Sequence, residues 1–545
     1  MTASPPSAAT LLAVDVGTLS ARAGLFDAAG ACLATATAPF ELLRPLEHHA
    51  VYRMDEIWAA TTAAIRTCLS AAPEAARHVA AVAFDATSSL ALTADGERPL
   101  DGDADVVCWM DHRGEAEAEE IGATGDRWLG YVGGSVSPEI NLPKLLWLKR
   151  HRPAAWARLT AARDLCDALA LRLTGTDRHS LCGLAAKWPY LPNDTDPWRR
   201  DLLAHLGVAD LLKLGRLDEP PSPVGALHGH VSEKAAAETG LAAGTPVAVG
   251  LIDAEAGALG VIGRGYAGAM NTVLAMIAGT SSSYMAWAAD ERQISGVWGP
   301  FRDAVFPGVW MHEAGQSLTG AALDAVLDHH PGSPGKASGA RHGETAAAVL
   351  ALLEAEGPAF AARRHIVPDW LGNRAPLGDG SVRALVTGIG EETSRRAFLE
   401  HYYATARALA LQARHIVDHL NRHGYAISRV TLAGGHIKNP LMMRLYRDAL
   451  GAALVTSDTA EPVLLGTAMV AAVAGGLAPD LFGAVEAMAP RQQVLAADPA
   501  WAAAHDRSYR TYLDLFEVRN RIEHEARALQ ATPSPGPQGG RPGAA

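Results

Sequence analysis

The sequence predicts a duplicated α/β fold, two domains facing each other across a cleft, and three observations predict it. Two short glycine–hydroxyl loops, each set between apolar strands, occur in opposite halves of the chain: Gly17-Thr18-Leu19-Ser20 after Leu11–Val16, and Gly279-Thr280-Ser281 after Ala275–Ala278. Apolar strands alternate with helical stretches in both halves. The chain has 545 residues, too many for one hydrophobic core.

The elements follow in order. Leu11–Asp27 reads as a hairpin around the first loop, and Met54–Ala71 as a helix with Trp58 and Ile65 on one face. Val79–Phe84 is an apolar strand whose polar end, Asp85-Ala86-Thr87-Ser88-Ser89, is of the kind that lines a cleft. A strand over Val106–Met110 runs into Asp111-His112-Arg113, and helices are expected around Leu142–Lys149 and Leu165–Leu173. Val247–Ile252 is a further buried strand, ending at Asp253. The pattern restarts after Arg264–Gly268 with the second loop. A long helix over Glu392–His423 closes on Gly424, and the strand Val430–Ala433 opens into Gly434-Gly435-His436-Ile437-Lys438-Asn439. The uncharged stretch Pro462–Pro479 is rich in Ala and Gly, which suits a buried core helix better than a membrane span. The expected organisation is a disordered tail over 1–10, domains over 11–264 and 270–530, and a disordered Pro/Gly-rich tail over 531–545.

Composition narrows the function. A net charge of −12 argues against a nucleic-acid partner. Five scattered cysteines without a C-x-x-C pair argue against a disulfide scaffold or thiolate zinc site, and fit a reducing, cytoplasmic setting. The N-terminus has no signal-peptide pattern, and no membrane partner is expected. A homodimer is left open.

Glycine lets backbone approach an anion closely, and successive N–H groups with Thr and Ser hydroxyls can wrap its oxygens. One such loop per half predicts two phosphate clamps across a nucleotide cleft, with ATP as the nucleotide. Phosphoryl transfer to an alcohol then needs an anion cradle, a divalent metal and a carboxylate to take the hydroxyl proton. The cradle is Gly17, Thr18 and Ser20 from one half with Gly279, Thr280 and Ser281 from the other. Asp15, ending the first strand, is placed to orient Mg²⁺ through water. Asp253 is the candidate base, although an Asp before a helix also reads as an N-cap.

These pieces resemble the FGGY carbohydrate kinases over nearly the whole chain. The matching segments, in family order, are Asp15-Val16-Gly17-Thr18, Phe84–Ser89, Trp109–Arg113, Gly250–Ala254, Gly279-Thr280-Ser281, Glu313-Ala314-Gly315-Gln316-Ser317 and Ala433–Pro440. The resemblance implies two ribonuclease-H-like domains of the sugar kinase/actin/Hsp70 fold, with ATP and Mg²⁺ between them. Trp109–Arg113, Ser180-Leu181-Cys182 with Lys187-Trp188, and Gly296–Pro300 are similar to the pentulose kinase branch, implying conversion of D-ribulose to D-ribulose 5-phosphate. L-ribulose or a pentitol is the alternative acceptor, and an actin- or Hsp70-like ATPase is the non-kinase alternative. Asp253 is implied as general base, with Ser88, Trp109, Asp111, Lys187 and Glu313 around the sugar. Arg22, Gln316, Gly434, Gly435 and Asn439 are implied to serve the nucleotide. Ala314 and Ser283-Tyr284 depart from the branch pattern.

His415, His419 and His423 fall at i, i+4 and i+8 of the long helix, a spacing that could bind a metal. The expected reading is instead a solvated face near a helix C-terminus.

Overall fold

The computed structural model describes residues 9–531. The expected tails lie outside the described residues, except that Thr10 already opens the first strand and Ala531 ends the last helix.

Two seven-stranded sheets dominate. The first contains β1 (Thr10–Val16), β2 (Ser20–Asp27), β3 (Cys32–Pro39), β4 (Val79–Ala86), β5 (Leu227–His230), β6 (Pro246–Ala248) and β7 (Leu251–Ile252). The second contains β8 (Val273–Ala278), β9 (Ser282–Ala288), β10 (Trp298–Arg302), β11 (Trp310–Gln316), β12 (Arg429–Ala433), β13 (Ala453–Ser457) and β14 (Gln492–Leu495). Their orders are β3-β2-β1-β4-β6-β5, with β7 on β4, and β10-β11-β9-β8-β12-β13-β14. In each, the strand before a glycine–hydroxyl loop has an antiparallel hairpin partner on one side and a parallel strand on the other. The duplication read from two loops is a duplication of sheets.

Burial explains the strand types. β1 is buried throughout, as a central strand covered on both faces must be. β3, at the edge, exposes Thr35 and Thr37 between half-buried Ala34, Ala36 and Ala38.

The helices that matter for the site are α1 (Met54–Ala71), α2 (Asp253–Leu259), α3 (Arg395–Arg422), α4 (Pro462–Ala474) and α5 (Pro499–Ala531). α1 has the expected bounds. α3 starts at Arg395 rather than Glu392, because the Ser394 hydroxyl caps it by accepting the Ala397 N–H at 3.0 Å. The expected strand Val106–Met110 shrinks to Val106–Val107. Beyond it the chain turns, and Asp111 is captured by Arg113 and the Ala50 N–H. Val247–Ile252 is split into β6 and β7, which pair with successive stretches of β4, at Val82 and at Asp85–Ala86.

His415 corrects the reading of a solvated histidine face. It is buried, 4.9 Å from Phe516 of α5 ring to ring, and burial pushes its pKa down to about 3. His419 donates to the Ser295 carbonyl at 2.9 Å. α5 covers this face of α3, which local periodicity could not reveal. Pro462–Ala474 is a core helix, and no helix among the described residues is long and apolar enough to cross a membrane.

α2 and α4 cross between the two sheets, and their side chains share one core with residues of both. The crossing is backbone against backbone. A Cβ on Gly260 would sit 1.9 Å from the Pro462 carbonyl oxygen, and one on Gly466 would sit 1.9 Å from that of Ala256. Neither gap admits a methyl group.

Gly466→Ala is therefore expected to destabilise the protein by about 1–3 kcal/mol or more, the cost of overpacking a closed interface. Gly435→Ala, where a Cβ meets nothing within 4 Å, is the control and leaves the midpoint of urea unfolding unchanged.

Candidate active site

Strand register places the acidic groups. β1 and β4 run parallel with Asp15 opposite Asp85, and β7 continues alongside with Leu251 opposite Asp85. Asp15, Asp85 and Asp253 thus cluster at the C-terminal ends of three neighbouring strands, where α/β sheets bind ligands. Asp15 and Asp253 line a cavity of about 350 Å³ that also takes in both glycine–hydroxyl loops.

Asp253 is the first helical residue of α2, and Ile252 holds the N-cap position, so the capping alternative falls away. Its Oδ1 accepts the Ala254 N–H at 2.8 Å. Burial, and then the negative charge of Asp15, push its pKa up to about 7. Asp15 is held by Arg22, whose Nε donates to it at 2.7 Å, and Arg22 Nη1 reaches Glu461 at 3.0 Å across the cleft. Asp85 is fully buried, and burial with the adjacent Asp15 pushes its pKa well up. Thr467 of α4 donates its hydroxyl to Asp85, tying the second half of the chain to this cluster.

The loops lie open to the cavity. A Cβ on Gly17 would meet only the Ser20 carbonyl oxygen, at 3.7 Å, and one on Gly279 only that of Ser281, at 3.8 Å. Nothing else in the chain requires glycine there, so the missing side chains leave room for a ligand. Gly17, Thr18, Gly279, Thr280 and Ser281 line the cavity. Ser20 closes its turn through its carbonyl, which accepts the Gly17 N–H at 3.0 Å.

The rest of the lining is polar and aromatic. Trp109 donates its indole N–H to the Thr18 hydroxyl at 3.1 Å, and Ser88 lies nearby in the same wall. Lys187, at the C-terminal end of a helix over Leu181–Lys187, places its Nζ 3.3 Å from Glu313 and 4.3 Å from the centre of the Trp298 ring. Burial works to lower the lysine's pKa, but Glu313, Glu255 and Glu139 outweigh it and the net shift is upward. Lys187 is an ammonium among three acidic side chains.

Asp111 and Gln316 are not brought to the cavity. Asp111 is buried, its oxygens taken by the Arg113 guanidinium at 2.7 Å and the Ala50 N–H at 2.6 Å. Gln316 is buried and engaged with Tyr284, Gln412 and the Leu409 carbonyl. Both are spent on internal hydrogen bonds. Gly434, Gly435 and Asn439 follow β12, which pairs with β8 and so runs beside the second loop. None of the three lines this cavity. Gly434 has φ +94° and packs on the Ala278 carbonyl, whereas a Cβ on Gly435 would meet open space. Asn439 caps the next helix by accepting the Leu441 N–H at 3.0 Å.

Several residues were missed. Glu255 has no exposed surface, and neither carboxylate oxygen has a hydrogen-bond partner. Burial, then Glu313, push its pKa up to about 8. Its position two residues after Asp253, in a run of small residues, was the available signal. Arg374 and Glu139 form a 2.6 Å ion pair across the cleft at the cavity wall. They come from irregular segments with no motif around them.

Comparison with known proteins follows the same division. The N-terminal domain of the FGGY family of carbohydrate kinases matches residues 10–260, and its C-terminal domain matches residues 274–475. A human FGGY carbohydrate kinase domain-containing protein is 35% identical over 509 residues, 88% of this chain and 91% of that protein. A D-ribulokinase of Saccharomyces cerevisiae is 29% identical over 517 residues, 86% of this chain and 72% of that protein. The crystal structure of xylulose kinase from Rhodospirillum rubrum superposes with a TM-score of 0.79 at 24% identity, covering 94% of this chain and 100% of that one, a likeness of fold. The N-terminal match takes in the whole first sheet and its loop, the C-terminal match takes in the second loop and most of the second sheet, and the chain belongs to the FGGY family of carbohydrate kinases.

Proposed function

We propose that the protein transfers the γ-phosphoryl group of ATP to the terminal hydroxyl of a ketopentose, with D-ribulose as substrate and D-ribulose 5-phosphate as product. The observation that carries this reading is one cavity holding two open glycine–hydroxyl loops, the Asp253 carboxylate, and a wall built from Lys187, Glu313 and two tryptophans. The relatives named ribulokinases support a pentulose as acceptor. Five free cysteines suit the cytoplasmic setting that belongs to this reading.

In this mechanism the backbone N–H groups and hydroxyls of Thr18, Thr280 and Ser281 hold phosphate oxygens. Asp15 is the residue to hold hydrated Mg²⁺. Its carboxylate lines the cavity that both loops open into, and a carboxylate oxygen suits a hard divalent cation. The metal supplies neutralisation of phosphate charge. Lys187 donates to sugar oxygens and Glu313 accepts from sugar hydroxyls. Trp109 offers its ring to the carbon skeleton. Asp253 takes the proton of the attacking hydroxyl. A late proton transfer in a loose transition state suits a carboxylate of this basicity.

ADP release measured over ketopentoses, pentitols, hexuloses and glycerol tests the assignment. D-ribulose is expected to give the highest kcat/KM, and ATP turnover indifferent to every sugar would overturn it. Asp253→Asn is expected to lower kcat by about 10²–10⁴-fold, the contribution of a general base, while ATP still binds by calorimetry. The wild-type kcat/KM for sugar is expected to rise through about pH 7, where Asp253 loses its proton. Below that pH the protonated acid cannot accept another proton, so the limb should be absent from the Asn variant's residual activity.

Lys187→Met separates sugar from nucleotide. Removing a charged donor is expected to cost about 10- to 150-fold in kcat/KM for the sugar. ATP affinity measured without sugar stays unchanged. Thermal unfolding checks that the fold tolerates Glu313 without its cation.

A further inference from the structure

A second cavity, of about 250 Å³, lies between α3 and α5 and shares no lining residue with the catalytic one. Its wall includes Arg407, Arg507, His365, His505, Ser508 and Trp501, and no carboxylate. Arg407 is 4% exposed. Its guanidinium donates through Nη2 to the carbonyls of Arg364 at 2.6 Å and Ala361 at 3.4 Å, and lies 5.1 Å from the Tyr403 ring. Neither Arg407 nor Arg507, which is exposed at the rim of the cavity, forms an ion pair among the described residues, so the burial argument rests on Arg407. A buried guanidinium is ordinarily matched by a carboxylate, because burying an uncompensated charge is costly.

The surroundings share this imbalance. His505 is 3% exposed, and its Nδ1 is buried without a hydrogen-bond partner. Burial, and then the charge of Arg407, push its pKa down to about 4, and the same two causes lower that of His365. The acids that act on His505 are already engaged: Asp448 by Arg447 at 2.7 Å and Asp506 by Arg414 at 2.6 Å. The cavity is cationic and lacks an internal counter-charge.

We propose that this cavity is a second binding site, for a small phosphate-bearing anion held by Arg407 and Arg507. Two guanidinium groups match a phosphate dianion in charge and in forked hydrogen-bond geometry, and the hydroxyls of Ser508 and Thr511 lie in the same wall. The volume falls below the ~300 Å³ at which pockets for drug-sized ligands begin. That favours inorganic phosphate or a small phosphate monoester over a nucleotide. α5 begins beyond residue 475, where the family match ends, so one wall of the site lies outside the matched region. The proposal does not depend on the catalytic reading.

Equilibrium dialysis with radiolabelled inorganic phosphate on the full chain tests it, comparing wild type with Arg507→Ala, Arg407→Met and Gly279→Val. The expected result is saturable binding that survives Gly279→Val and weakens by about tenfold or more in each arginine variant. Arg507→Ala is the decisive variant, since Arg407 also holds backbone carbonyls. Its circular dichroism and phosphate-free activity should match wild type. Displacement of label by ribose 5-phosphate at lower concentration than by unlabelled phosphate assigns the site to a monoester; the reverse order assigns it to the free ion. Absence of saturable binding overturns the proposal. So does binding lost in Gly279→Val and kept in the arginine variants, which would place the anion in the catalytic cavity.

Discussion

The crossing of α2 over α4 is the constraint on which the rest of the molecule depends. Each helix follows the strands of one half and packs into the core shared with the other half. With Gly260 and Gly466 at the contact, backbones rather than side chains set the separation. The crossing fixes the start of α2, and with it Asp253, beside the strand ends that carry Asp15 and Asp85. It also brings Thr467 to Asp85 and Glu461 to Arg22. A methyl group inserted there would part the two sheets as well as two helices, and the loops they carry would no longer face one cavity.

Electrostatics at the site follow from that geometry. Three carboxyl groups lie at neighbouring strand ends with Arg22 as the nearby cation, so burial and mutual repulsion keep the proton affinity of Asp253 near neutrality. On the other wall the arrangement is reversed, one ammonium among Glu139, Glu255 and Glu313. Three ion pairs join the halves around the cavity: Arg22–Glu461, Lys187–Glu313 and Glu139–Arg374. Polar groups of a sugar entering here would replace hydrogen bonds the lobes already make with each other. Under the proposed function, substrate recognition and the relative placement of the lobes would be coupled through the same side chains.

Much of this was legible in the sequence because it is local. An apolar run followed by glycine and hydroxyl residues specifies a strand and a tight turn wherever it lies. The bounds of α1 and the core character of α4 follow from periodicity and the lack of charge. Asp111 and Gln316 misled for an opposite reason: a polar residue in a motif looks the same whether it faces a ligand or an internal partner. Arg113 and the Ala50 N–H claim the first, and Tyr284 with Gln412 the second. His415 misled because α5, far along the chain, covers the helix face that periodicity left exposed.

The sequence by itself determined that there are two α/β halves, that each carries a glycine–hydroxyl loop after a buried strand, and that a carboxylate stands at the end of a buried strand in the first. Short-range patterning carries such information, because strand, turn and helix starts depend on residues a few positions apart. Only the tertiary structure decided that the two loops open into one cavity, that Glu255 is buried there without a partner, and that Arg374 meets Glu139 across it. It alone placed Arg407 and Arg507 together without a carboxylate. The physical reason is common to all of these: charge balance and burial are properties of what surrounds a group in space, and the chain supplies those neighbours from segments that local sequence does not connect.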